Sequence, residues 1–229
     1  MADSAVSERP QHGLFGVSAY DVIKQRILGN EYPGGFQMLE HQLALDFGMS
    51  RTPLKEALVR LESEGLIQIV PRRGIRVVPL AATDIHEIYT VLSPLETLAA
   101  ELIAARPDNA REVEALETQV DAMRKALARG KLEAWAEADE KFHRCLVDMS
   151  GNSRLSNAAR TLLDQSQRFR MFTLRLREKP VRSTENHALL VQAIKKHDPK
   201  RARLVHLKHK ADWKKNMEAL LARFSIKYI

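Results

Sequence analysis

Apolar positions recur every three to four residues through most of this 229-residue chain, with one short interruption where the period falls to two. In the stretch Glu40–Gly65 (EHQLALDFGMSRTPLKEALVRLESEG), Leu43, Ala44 and Phe47 share a helical face, and Gly48 allows a sharp turn. Ser50 and Thr52 both suit an N-cap, and Pro53 suits the first turn of a second helix. There Leu54, Ala57, Leu58 and Leu61 stand at i, i+3, i+4 and i+7, one stripe facing a core. Arg51, Thr52 and Lys55 lie off that stripe at the helix start. This pattern predicts a helix-turn-helix, which sets the start of its second helix into the DNA major groove.

The interruption follows at once. Leu66–Val70 and Ile75–Val78 read as strands, and Pro71-Arg72-Arg73-Gly74 reads as the tight turn between them. A hairpin tipped by Arg72 and Arg73 directly after a recognition helix is a wing, placed to reach phosphates or the minor groove. Val17–Leu28 supplies a first helix, ended by Gly29-Asn30, and residues 1–13 lack periodicity and read as a flexible arm. Leu39 stands where a Ser or Thr cap would be expected.

Beyond Pro79-Leu80-Ala81-Ala82, read as a hinge, the helical period runs almost unbroken. Helices are predicted over 84–106, 108–130, 131–149, 154–178, 183–196 and 199–224, with a kink or break near Ser93 because Pro94 lies inside the first. The expected architecture is therefore mainly α: a winged helix-turn-helix over 14–80 and an all-α bundle over 81–229.

Charge changes the picture less than its total suggests. The net charge is +7, yet residues 1–80 hold nine Lys+Arg against nine Asp+Glu. DNA binding must therefore rest on local placement of Arg51, Lys55, Arg72, Arg73 and Arg76. The basic stretch Lys195–Lys215 reads as a solvated helix face, because its charges alternate with apolar positions. A single cysteine fits a reducing cytosol and excludes an internal disulfide framework. No apolar run approaches the ~20 residues needed to span a bilayer, and residues 1–13 lack a secretory apolar core, so a cytoplasmic protein is expected.

Within the predicted bundle, Asp139 and His143 are four apart, hence on one helix face. His187 and His209 follow on later helices, with His206 an equally placed rival to His209. A carboxylate with imidazoles from facing helices is how bundles hold metals, and such a set suits Zn²⁺ or Ni²⁺. Eight histidines also permit the plainer reading, core imidazoles satisfied by backbone or water.

The segment GMSRTPLKEALVRLESEGLI with its RRG turn resembles the signature of the GntR family of bacterial transcription regulators, over about Val17 to Leu80. The resemblance implies that Arg51, Thr52, Lys55 and Gly74 contact DNA. The family usually carries Arg at the positions of His41 and Lys55; neither substitute makes the bidentate fork of Arg to guanine, which leaves the preferred operator open. Residues 84–210 are similar to the FCD effector domain, which pairs a D-x-x-x-H helix with two later histidines 22 positions apart. Asp139, His143, His187 and His209 match those spacings, and His206 does not. FHRCLVDMSGN and NHALLVQAIKKHD also resemble that domain's segments.

The resemblance implies a homodimeric regulator, most often a repressor, binding palindromic double-stranded operator DNA and responding to a small organic-acid-like effector, such as a carboxylate, near a divalent metal. Glu96 matches a family Glu, but the Arg expected four residues earlier is Leu92. Arg168, Arg170 and Arg175 are the candidate replacements for holding the effector. Two other readings compete: a metal-dependent hydrolase-like enzyme, and a DNA-binding protein whose bundle only dimerises it.

Overall fold

The computed structural model describes residues 18–229, so the arm expected over 1–13 lies outside the described residues. The described chain forms two compact units, one of residues 18–26 and 35–78 and one of residues 27–34 and 79–229.

The smaller unit is built from α1 (Ala19–Leu28, whose last two residues count with the larger unit), β1 (Gln37–Met38), α2 (Glu40–Phe47), α3 (Arg51–Ser63), β2 (Ile67–Val70) and β3 (Gly74–Val77). The apolar stripe of α3 closes its core: Leu54, Ala57, Leu58 and Leu61 are buried with Ile23, Leu43 and Phe47. Gly48 ends α2 in the left-handed conformation that the tight turn requires. Of the two possible caps for α3, the chain uses Ser50, in extended conformation and with no side-chain hydrogen bond.

β2 and β3 form the predicted hairpin, and β1 adds a third strand in the order β1-β3-β2, all antiparallel. β1 was not foreseen, because two residues are too few to show a period. Its pairing explains Gly74: a Cβ there would fall 2.2 Å from the Met38 carbonyl oxygen and 2.7 Å from the Leu39 Cα. Leu39 occupies the N-cap position of α2 without a side-chain hydrogen bond.

The larger unit contains α4 (Ala82–Ala104), α5 (Ala110–Ala128), α6 (Leu132–Asp148), α7 (Ser153–Thr173), α8 (Val181–Lys195) and α9 (Pro199–Phe224). Their inward faces make one apolar core that includes Leu92, Trp135, Phe142, Leu163, Phe169 and Ile194. α4 packs on α6, α7, α8 and α9, and α5 packs on α6 and α8. Caps match the sequence chemistry at two starts: the Asn152 side chain accepts from the Leu155 N–H, and Asp198 accepts from the Arg201 N–H ahead of Pro199.

Two expectations need correction. Pro94 does not break α4, which runs continuously from Ala82 to Ala104. Pro94 and Thr90 are both exposed, so the carbonyl that loses its helical partner belongs to the solvent face of the helix. The long helix ends at Thr173 rather than 178, and residues 174–177 form a turn ahead of Lys179-Pro180. Within the larger unit, Leu80 and Ile229 exchange backbone hydrogen bonds of 3.0 and 2.9 Å, and Ala81 bridges Tyr228. No helix among the described residues is long and apolar enough to cross a membrane.

Candidate functional sites

The smaller unit presents its polar residues outward. His41, Arg51, Thr52, Lys55, Arg72 and Arg73 are all exposed. Arg51 belongs to two neighbouring depressions. One, of about 350 Å³, is lined by Glu40, His41, Arg51, Arg72 and Gly74. The other, of about 610 Å³, runs along α3 past Thr52, Lys55, Glu56 and Val59. The first turn of α3, the N-terminal end of α2 and the wing turn thus supply one cationic, concave surface. Gly74 itself is buried, with φ near +83°; Arg72 also takes positive φ, 64°, a conformation that costs a non-glycine residue energy.

The larger unit does the reverse and closes its polar residues inside. Asp139 and His143 sit one turn apart on α6 and meet His187 of α8, each with a possible ligand atom within 4.8 Å of the others. His187 Nε2 stands 2.9 Å from Asp139 Oδ1, and His143 Nε2 stands 3.7 Å from Asp139 Oδ2. His209 of α9 is next to this group, its ring centroid 4.8 Å from that of His187, and its Nδ1 takes the Asn186 amide at 3.2 Å. The rival His206 instead contacts the Thr97 hydroxyl through Nδ1 at 2.8 Å, and its ring is 6.4 Å from His209.

Around the imidazoles lies a ring of buried charge that the helical period alone did not reveal. Glu96 of α4 is fully buried, with Oε1 2.6 Å from His143 Nδ1 and Oε2 2.6 Å from the Lys210 ammonium. Arg170 of α7 approaches Asp139 Oδ2 at 3.3 Å and pairs closely with Glu140. Lys210 corrects the reading of Lys195–Lys215 as a solvated face, for it is only 5 % exposed. The signal was present: Lys210 is four residues past His206, hence on the same helix face.

Of the arginines proposed for an effector, Arg170 alone lines the cavity beside these groups. Arg168 is buried but does not line it, and Arg175 is exposed on the surface, paired with Glu133 at 2.5 Å. Arg177, which sequence reasoning missed, does line it.

Burial sets the protonation states. It would raise the Asp139 carboxyl, but the neighbouring His143, His187 and Arg170 overcome it and hold Asp139 well below the usual carboxylate range. Burial, reinforced by Lys210, pushes His143 well below its ordinary value, and His206 and His209 move the same way. Burial also raises the Tyr89 phenol to about 12. An ionised Asp139 carboxylate with neutral His143 and His209 imidazoles is the form of these groups that ligates a divalent cation. Glu96 beside Nδ1 of His143 favours the tautomer that leaves Nε2 free to ligate, the carboxylate–histidine arrangement common behind metal ligands. His187 Nδ1 is buried without a hydrogen-bond partner.

A winged helix with exposed cations on its recognition face, in one chain with a helical unit that encloses a polar cavity, defines a two-part DNA-binding regulator. Known proteins agree. Residues 16–77 match the family described as bacterial regulatory proteins, gntR family, and residues 87–212 match the FCD domain. The chain is 31 % identical over 202 residues to the uncharacterized regulator YdhC of Bacillus subtilis, covering 86 % of this chain and 90 % of that one. It is 28 % identical over 188 residues to the gluconate operon transcriptional repressor of the same species, covering 80 % and 76 %. Among solved structures, E. coli McbR/YncC superposes with a TM-score of 0.76 at 20 % identity over 90 % of this chain and 96 % of that one, a likeness of fold. The chain belongs to the GntR family and carries an FCD domain; it is a transcription regulator and not an enzyme.

Proposed function

We propose that this regulator is a homodimeric repressor whose winged helices bind a palindromic operator and whose FCD unit senses a small organic acid beside a divalent metal, Zn²⁺ or Ni²⁺. Asp139, His143, His187 and His209 would hold the ion. The observation that carries this reading is the convergence of Asp139, His143 and His187 inside the larger unit, each with a ligand atom within 4.8 Å of the others. Bound there, the metal would supply a fixed positive charge and an open position for an effector oxygen. The repressor role is supported by relatives whose names place them at a gluconate operon and, for one called probable, a D-xylose utilization operon. Effector binding would act by population shift, favouring the conformation with lower operator affinity.

The metal part is tested by metal content and melting of the wild type, His187→Ala and His206→Ala, with and without chelator. An ion a thousandfold above its Kd stabilises the folded form by ~4 kcal/mol. Chelation should lower the wild-type melting temperature, His187→Ala should reproduce the loss, and His206→Ala should keep its metal. A wild type that takes up no ion after reconstitution refutes the site, and loss of metal from His206→Ala alone moves it to the other imidazole.

A further inference from the structure

Three cations line the cavity of the FCD unit, and two of them already have carboxylate partners. Arg170 faces Asp139 and Glu140, and Lys210 faces Glu96. Arg177 differs. Its Nε and Nη2 are buried and have no hydrogen-bond partner. Its guanidinium carbon stands 5.4 Å from the centre of the Trp135 ring, which is itself anchored by a hydrogen bond from Nε1 to the Thr184 hydroxyl at 2.9 Å. Because α7 ends at Thr173, Arg177 leaves the helix on a turn and reaches the cavity that also exposes Asp139, His143 and His209.

Guanidinium N–H groups withdrawn from water without hydrogen-bond acceptors, as at Nε and Nη2 of Arg177, are costly. The cost is reversed when a planar anion accepts two parallel N–H bonds, the arrangement Arg makes with carboxylates. Stacking on a fixed indole holds the fork in place before an anion arrives. On α4, Leu92 is fully buried and carries no charge.

We propose that Arg177 is the anchor for the carboxylate of a small organic acid, with the rest of the acid directed toward Asp139, His143 and His209. This rests on the organic-acid reading above and gives it an address. The cavity, about 10 Å³, has room for about one water, so an acid must displace neighbouring side chains on entry. The Trp213 ring, stacked on Tyr89 at 4.0 Å between centroids, borders that space together with Arg177.

The test uses the full-length protein as purified and four probes: acetate, D-gluconate, citrate and inorganic phosphate. Binding is measured by calorimetry and melting for the wild type, Arg177→Met and Arg177→Lys. At least one carboxylate should bind the wild type, Arg177→Met should bind it about 10- to 100-fold more weakly, and Arg177→Lys should fall between. Unliganded Arg177→Met should melt close to the wild type, since the substitution relieves two buried donors that lack partners and gives up only the contact with Trp135. A marked fall in its melting temperature would make Arg177 a structural residue and overturn the proposal. If Arg177→Met does not fold, unchanged affinity in Arg177→Lys overturns it instead. Equal carboxylate affinity in wild type and Arg177→Met removes the anchor and leaves the organic-acid reading standing. No binding of any carboxylate to the wild type, or binding of phosphate alone, overturns both.

Discussion

The two units handle charge in opposite ways. In the winged helix, Arg51, Lys55, Arg72 and Arg73 are exposed, and the core beneath them is apolar. In the FCD unit, Glu96, Asp139, His143, Arg170, His187 and Lys210 are all buried among one another. The first arrangement suits a ligand that is itself highly charged and must be met at a surface. The second suits a ligand small enough to be enclosed, where low dielectric makes each pairing strong and each unpaired group expensive. The lesson is that the same residue types lie open at the surface in one unit and are paired inside the other.

The sharpest way to break that comparison is to remove one buried cation. Arg170→Ala leaves Asp139 and Glu140 without their shared partner, and losing one side of a buried ion pair costs about 3–5 kcal/mol. Urea unfolding followed by far-ultraviolet circular dichroism measures it. A loss below about 1 kcal/mol would mean that the network is solvated and the contrast between the units false.

Acid should attack the same unit. His143, His206 and His209 are held below their ordinary values, so between those depressed values and ~6.5 the unfolded chain binds protons that the folded chain excludes. Stability then rises with pH up to about 6.5 and is lost as pH falls below it. The slope is about 1.4 kcal/mol per pH unit for each histidine. Denaturant midpoints of chelator-treated protein from pH 7.5 down to 5 give the slope; a flat profile would contradict the buried, neutral assignment.

On the exposed side the effects should be smaller and appear in binding. Arg51→Ala should cost about 1–3 kcal/mol on a matched operator if it reads a base edge, with melting unchanged. Comparing matched and mismatched operators decides its role, because equal losses on every sequence indicate a phosphate contact. The smallest effect is expected at the wing. Arg72→Ala and Arg73→Ala should weaken specific and random DNA alike and lower the salt slope by about 0.9 for each phosphate that the wing no longer neutralises. An unchanged slope in both would remove the wing turn from the interface.

How far each part could be read in advance follows from the range of the interactions involved. α3 was legible because Leu54, Ala57, Leu58 and Leu61 repeat within a few residues, and the wing because Gly74 and the arginines mark a turn between two short apolar runs. β1 was hidden because Gln37-Met38 forms a strand only by pairing with residues Ile75 and Arg76. The break allowed for at Pro94 did not occur for a related reason: packing of the helix on its neighbours carries it past the proline, and that packing is not written in the local pattern.

What the chain alone determined was therefore the set of helices, the hairpin, the turn residues and the placement of Asp139 and His143 one turn apart. All of these depend on spacings within a single element. Only the tertiary structure decided that Lys210 is buried against Glu96, that Arg170 turns toward Asp139, and that Arg177 leaves α7 to enter the cavity. Those facts join residues on different helices, far apart along the chain. A periodic sequence specifies which face of a helix is covered, but the partner that covers it is chosen by packing of the whole unit.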